Sequence, residues 1–251
     1  MLYRELNISD LHIPFHDVCA WELALRIVKA VRPTAVNLGG DMLDFYRLSL
    51  YDKDPNRFAD GGLQEELDQF YHMMRELLRA APTQCRFRYI KGNHEDRLRR
   101  YLNRNPELYG LRSLELQALM RLDELGIEYC DEEIGVVPGH LVVKHGEIVR
   151  RDSAYSAKAE LEKERHAVSV ITGHTHRLGT HYATTRNGVV KAHENGCLCQ
   201  LEPEYVKHPN WQQGFTMVTH WGGELFHVED IPFLNRGERL KAVVLGEVVT
   251  L

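Results

Sequence analysis

Five short strings follow one another along the chain: SDLH at 9–12, GGDMLD at 39–44, GNHE at 92–95, KHG at 144–146 and GHTH at 173–176. They supply Asp10, His12, Asp41, Asn93, His145, His174 and His176, all oxygen or imidazole donors. This set is large enough to hold two divalent metal ions side by side. A metal pair roughly 3.5–4 Å apart clamps the attacking and leaving oxygens of a phosphoryl centre. The spacing supports the idea. Asp10 and His12 are two residues apart, as are His174 and His176. At an extended strand end, side chains at i and i+2 share a face, so Asp10 and His12 can both reach one ion. Asp41 follows Gly39-Gly40 and brings two oxygens, enough to bridge two cations. Asn93 adds a neutral oxygen after Gly92, which permits a tight turn. His145 precedes Gly146 and adds another imidazole.

A nitrogen and oxygen donor set without thiolate suits Mn²⁺, Fe²⁺ or Zn²⁺ better than a structural cysteine-zinc site. Open positions on such ions admit water and phosphate. A catalytic metal lowers the pKa of bound water from about 15.7 to about 7, which supplies hydroxide at neutral pH.

These residues must sit at the ends of regular elements. Leu2–Ile8, Thr34–Leu38, Phe87–Ile90, Leu141–Lys144 and Val168–Thr172 read as short apolar strands, each running into one of the five strings. Val18–Val31 and Leu63–Ala80 carry apolar residues at helical spacing. Helices are also expected over Asp96–Asn103, Leu111–Leu125 and Ser153–Arg165. Strand-like runs at His181–Thr184, Val189–His193, Phe215–His220 and Leu225–Val228 make the last third richer in sheet. Ligand sites in α/β sheets collect at the carboxyl ends of strands, where all five strings fall. One α/β domain over 1–251 is expected, with two packed sheets and helices outside. The stretch 44–62 is the expected loop over the site, and 97–125 a helical insertion beside it.

Composition narrows the function classes. Among 251 residues, 43% are hydrophobic and 27% charged, values of a soluble globular chain. The net charge of −5 gives no global basic field for nucleic acid or anionic lipid. The five cysteines form no CxxC, so zinc-ribbon and thioredoxin chemistry are not indicated, and free thiols in a reducing compartment are expected. The N-terminus lacks a signal-peptide pattern, and no apolar run approaches the ~20 residues of a membrane span. A cytoplasmic protein without membrane attachment is expected.

Read in order, the strings resemble the calcineurin-like metallophosphoesterases, whose pattern is DxH, GDxxD, GNH(D/E), H and GHxH. All five elements are intact between Asp10 and His176. GNHEDRL at 92–98, SAYSAKAELEK at 153–163, GHTHRLG at 173–179, ENGCLC at 194–199 and NWQQGF at 210–215 extend the similarity to phage-type and DNA-exonuclease-like members. The resemblance implies an α/β fold, a four-layer α/β/β/α sandwich. It implies that Asp10, His12 and His176 hold a first metal, that Asn93, His145 and His174 hold a second, and that Asp41 bridges. His94 would face the leaving oxygen, and Asp44 would orient His94. Two divalent ions are the implied cofactors, manganese first, with iron, zinc and nickel as alternatives. Phosphoprotein phosphatases of this superfamily carry an arginine directly after GDxxD. Here Phe45 and Tyr46 follow Asp44, and Arg47 comes too late.

The expected activity is binuclear metal-dependent phosphodiester hydrolysis, by a nuclease or nucleotide phosphodiesterase, with a phosphoester partner that includes nucleotide or DNA as a candidate. Phosphomonoester hydrolysis is the alternative enzyme, and a metal-binding interaction scaffold the alternative outside enzymes. Phe45 and Tyr46 either stack on a base, an interaction worth ~1–3 kcal/mol, or pack their loop onto the core. Arg97 heads a basic run with Arg99, Arg100 and Arg104 that either guides phosphate or forms a solvated face. Arg177 is a candidate phosphate contact, His16 a candidate substrate contact, and Glu194-Asn195-Gly196 and Trp211-Gln212-Gln213 candidate site loops.

Overall fold

Four parallel strands, β1 (Tyr3–Ile8), β2 (Ala35–Leu38), β3 (Arg86–Ile90) and β4 (Ile127–Cys130), begin a six-stranded sheet in this computed structural model. Antiparallel β10 (Gly214–His220) and β11 (Phe226–Pro232) complete it in the order β11-β10-β1-β2-β3-β4. The second sheet runs β5 (Ile134–Val137), β6 (Leu141–Lys144), β7 (Ser169–Thr172), β9 (Gly188–Asn195), β8 (Leu178–Thr185), with β6, β7 and β9 parallel. The structure describes residues 1–55, 61–203, 207–235 and 239–251. Part of the expected loop 44–62, residues 56–60, lies outside them.

Side-chain alternation shows how the layers stack. In β6, Val143 joins Ile90, Val218 and Ile171 between the two sheets, while its neighbour Val142 joins Ala157 and Leu161 on the outer face. Helix α6 (Tyr155–Lys163) covers that outer face. On the other side α1 (Val18–Val31) and α2 (Leu63–Ala80) pack Leu23, Ile27, Phe70 and Met74 onto Leu6, Val36 and Phe87 of the first sheet. The result is the four-layer α/β/β/α sandwich.

Between β3 and β4 lie α3 (Asp96–Arg104), two single 3-10 turns, α4 (Leu116–Leu119) and α5 (Leu122–Leu125). The expected helix over Leu111–Leu125 is therefore broken. Arg121 adopts a left-handed backbone with φ 55°, and Gly126 ends the stretch at φ 67°. A third, small sheet was not anticipated: β12 (Leu234–Asn235), β13 (Leu240–Val244) and β14 (Glu247–Thr250). Its tight hairpin turns through Leu245 and Gly246, both at positive φ, the geometry of a two-residue turn. Ala242 and Val244 bury against the main core.

A polar seam crosses the interior and anchors the first site loop. Arg88 donates to Glu5 at 2.6 Å and to the Gly135 carbonyl of the second sheet at 2.7 Å. Asn195 donates to the Asn7 carbonyl at 2.9 Å and to Ser9 Oγ at 3.0 Å, directly before Asp10. Among the described residues, no helix is long and apolar enough to cross a membrane.

Candidate metal centre

The loops after β1, β2, β3, β6 and β7 carry the seven expected donors, all at strand carboxyl ends. The local geometry is not the extended one expected from the i, i+2 spacing. Asp10, His12, Asp41, His174 and His176 all have φ between 50° and 71°. Left-handed backbone at residues other than glycine costs on the order of 1–3 kcal/mol each and persists where the surroundings over-determine it. Here the chain has just left a strand, and the left-handed residues turn successive donors inward.

The donors fall into two groups. Asp10, His12 and His176 offer ligand atoms within 4.8 Å of one another, and so do Asp41, His145 and His174. Asn93 joins the second, with Oδ1 3.0 Å from His145 Nε2. Asp41 lies between the groups: its Oδ2 is 3.7 Å from His12 Nε2 and 3.2 Å from His145 Nε2. His12 Nε2 and His176 Nε2 approach to 2.9 Å, aimed at a common space beside Asp10. Two imidazole nitrogens converging with carboxylate oxygens in a buried site are donors that a divalent cation satisfies. The residues present therefore fit two such ions.

Further contacts fix the donors. His145 donates from Nδ1 to the Gly39 carbonyl at 2.9 Å, leaving Nε2 toward Asp41. Asp10 accepts the His174 backbone N–H at 3.0 Å. Gly40 and Gly92 meet face to face. A Cβ on Gly92 would stand 2.1 Å from Asp41 Oδ1, and one on Gly40 would stand 2.6 Å from the Gly92 nitrogen. Glu95, buried and not singled out from the sequence, accepts backbone N–H groups from Asp41, Leu43 and Gly92 at 2.7–3.0 Å. It locks the second loop to the third.

His94 stands beside Asp41, Nε2 to Oδ2 3.9 Å. Its Nδ1 is 3.0 Å from the Asp44 carbonyl oxygen and 3.3 Å from the Asp44 carboxylate. Asp44 thus meets His94 first through its main chain. Its Oδ2 also faces His12 Nδ1 at 3.2 Å, so one carboxylate serves both rings. Arg97 donates to the Asp44 carbonyl at 2.8 Å and to Oδ1 at 3.1 Å, and its Nη2 is 3.1 Å from His94 Nε2. A guanidinium has no acceptor. That contact therefore requires an unprotonated Nε2, and protonation there requires Arg97 to withdraw.

The electrostatics follow from burial among these groups. Burial works to raise the Asp41 carboxyl, but His145 and His94 hold it well below the usual carboxylate range. Burial disfavours charge on His145, yet Asp41 beside it pushes the pKa up to about 10. Burial likewise opposes ionised Asp44, and hydrogen bonds with His12 and His94 hold it far below the usual range. Burial pushes Glu66 of α2 the other way, up to about 8, although it accepts the Phe45 N–H at 2.5 Å.

The other expected contacts divide. Phe45 is 0% exposed and in the main core, so it offers no face to a substrate. Its backbone is anchored by Glu66, which turns the ring inward. Tyr46 is half-buried, with its ring edge-on to Phe15 and its hydroxyl accepting from Asp54 N. Arg177 donates to the Arg150 carbonyl at 2.5 Å rather than into the centre. Arg99 and Arg100 pair with Asp96 on the exposed side of α3, and Arg104 donates to the Arg100 carbonyl; only Arg97 of the run reaches the centre. Glu194 caps α6 through Ala154 N and Ser156 N, a structural role. Trp211 does come to the site, edge-on to His176 with ring centroids 4.3 Å apart. It lines, with Phe15, His12, Asp44 and Cys199, a narrow cleft beside the first donor group.

The sequence matches the calcineurin-like phosphoesterase family over residues 4–178, and the chain belongs to that family. It is 27% identical over 249 residues to the Gene 54 protein of Mycobacterium phage L5, covering 87% of this chain and 89% of that protein. The Gene 54 protein of Mycobacterium phage D29 is 26% identical with the same coverage. Among solved structures, Vps29 of Chaetomium thermophilum aligns with 99% of this chain and 96% of its own at 10% identity, TM-score 0.48.

Proposed function

We propose that the chain is a binuclear metal-dependent phosphodiesterase acting on nucleotide or nucleic-acid phosphodiesters. Membership of a phosphoesterase family gives the reaction class. The observation that carries the binuclear reading is Asp41 Oδ2 standing between His12 and His145. In this reading Asp10, His12 and His176 hold one ion, Asn93, His145 and His174 the other, and Asp41 both. When bound, such a pair polarises the phosphoryl oxygens and acidifies water, with Mn²⁺ the first candidate.

The chain's own residues supply the rest. Arg97 transfers its guanidinium from His94 to a phosphate oxygen, its natural bidentate partner. His94, freed at Nε2 and held at Nδ1 by Asp44, takes up a proton there and passes it to the departing alkoxide. Phe15 and Trp211 line the cleft beside the first donor group and present apolar surface to the second ester group of a diester. They offer the apolar surface that Phe45, packed in the core, does not.

Phosphomonoester hydrolysis is the second reading, and Arg97 favours it. The chain lacks the arginine after Asp44, yet Arg97 brings a cation to the same carboxylate from α3. A substrate panel in Mn²⁺ separates the two readings: bis(p-nitrophenyl) phosphate, the monoester, cyclic nucleotides and single-stranded DNA. The diesterase reading expects higher kcat/KM on the diester. A clear preference for the monoester, with no turnover of DNA or cyclic nucleotide, would overturn it.

A further inference from the structure

Three imidazoles of the centre have their outward nitrogens engaged, and one partner is unlike the others. His12 Nδ1 faces the Asp44 carboxylate at 3.2 Å, and His145 Nδ1 the Gly39 carbonyl at 2.9 Å. His176 Nδ1 faces a thiol, Cys199 Sγ, at 3.8 Å. We propose that Cys199 is a positioning residue of the first metal site, whose sulfur accepts the Nδ1–H of His176 and keeps Nε2 turned to the ion. The proposal rests on the reading of Asp10, His12 and His176 as that site.

The direction of the bond follows from a chain of contacts. Cys199 Sγ and Cys197 Sγ lie within 4.8 Å of each other, and the Cys197 thiol donates to the Gln212 carbonyl at 3.6 Å. A carbonyl only accepts. Each thiol has one proton; with that of Cys197 on the Gln212 carbonyl, the Cys199 S–H turns toward the Cys197 sulfur and leaves its own sulfur to accept from His176 Nδ1. That order fixes the His176 tautomer with its proton on Nδ1, the form in which Nε2 is free to ligate. The segment itself is pinned at the site. Leu198 N donates to the Asp10 carbonyl at 3.1 Å, and Gln212 N donates to the His176 carbonyl at 2.8 Å. Both thiols are buried. Sulfur is a longer and weaker acceptor than a carboxylate, so the two imidazoles of this site differ in basicity: His12 is backed by Asp44, His176 by a neutral thiol.

The test uses the full chain with Co²⁺, titrated by visible absorption, so that it does not depend on turnover. Cys199→Val fills the space without an acceptor. It should weaken one of two Co²⁺ sites by about 10- to 100-fold, the usual effect of removing such a partner, and leave the other unchanged. Cys199→Ser, which keeps an acceptor, should lie between Val and the parent. Independently of any variant, ¹⁵N spectra of the Zn²⁺-loaded parent should show a protonated His176 Nδ1. Parent-like affinity at both sites in the Val variant would overturn the proposal. So would a sulfur-to-cobalt charge-transfer band in the parent, because His176, Cys197 and Cys199 lie within 4.8 Å and would then be ligands themselves. A parent that takes up no Co²⁺ would overturn the metal reading, and the proposal with it.

Discussion

The carboxylate of Glu95 accepts the backbone N–H of Asp41 at 3.0 Å, across 54 positions of chain. It accepts from Gly92 and Leu43 as well, so the last residue of GNHE holds the loop that carries Asp41. Replacing it with alanine leaves three buried donors unpaired, each worth about 1–3 kcal/mol. Glu95→Ala should lower the unfolding free energy by several kcal/mol and weaken metal binding, measured by urea denaturation and Mn²⁺ titration. Glu95→Gln should lose less, since its amide oxygen still accepts. An alanine variant with parent stability and affinity would show that the loops hold themselves.

The fate of Glu95 shows what was legible in the sequence. Donor types and their order sufficed to place Asp10, Asp41, His145 and His176 in one centre. Apolar periodicity gave α1 and α2 their observed bounds, Val18–Val31 and Leu63–Ala80. The partners that fix the donors were less legible: Glu95 ends the GNH(D/E) string with no role attached to it, and Glu66 and Cys199 gain meaning only when distant loops meet. Asp10 and His12 meet as their i, i+2 spacing predicts, but through left-handed residues rather than an extended strand end. Phe45 was ambiguous for a related cause: an aromatic in a loop reads alike whether it faces solvent or core. The hairpin of β13 and β14 escaped because Leu-Gly is a weak turn signal beside Asn-Gly.

His94 and Arg97 should separate in kinetics. His94→Ala should keep its metal and lose kcat by about 10²–10⁴-fold, the usual contribution of positioned proton transfer. The loss should shrink with a better leaving group, which needs less protonation. Arg97→Ala should raise KM more than it lowers kcat, and more for a monoester dianion than for a diester. Metal loss in the His94 variant would make that residue a ligand.

Glu66 sets a pH dependence of stability. Its folded pKa of about 8 lies above the ordinary 4.5, so between these values the folded chain holds a proton that the unfolded chain has lost. Stability then falls as pH rises across that window, and the contribution is flat below 4.5 and above 8. Glu66→Gln removes the titration while keeping an acceptor for Phe45 N–H. Urea denaturation of metal-free protein from about pH 5 to about pH 9 should give a flatter profile in the variant, with the gain largest at the alkaline end. Parallel profiles would place the ionised carboxylate at no cost in the fold.

The binuclear account is tested most directly by counting ions against turnover. Protein stripped with a chelator is titrated with Mn²⁺ while bound metal and bis(p-nitrophenyl) phosphate hydrolysis are followed together. The account predicts no hydrolysis in the stripped chain, two ions bound at saturation, and activity that returns as the second ion enters. Asp41→Asn, which weakens both sites at once, should bind fewer ions and recover little activity. Full hydrolysis by the stripped chain, or an Asp41→Asn variant with both ions and parent turnover, would contradict it.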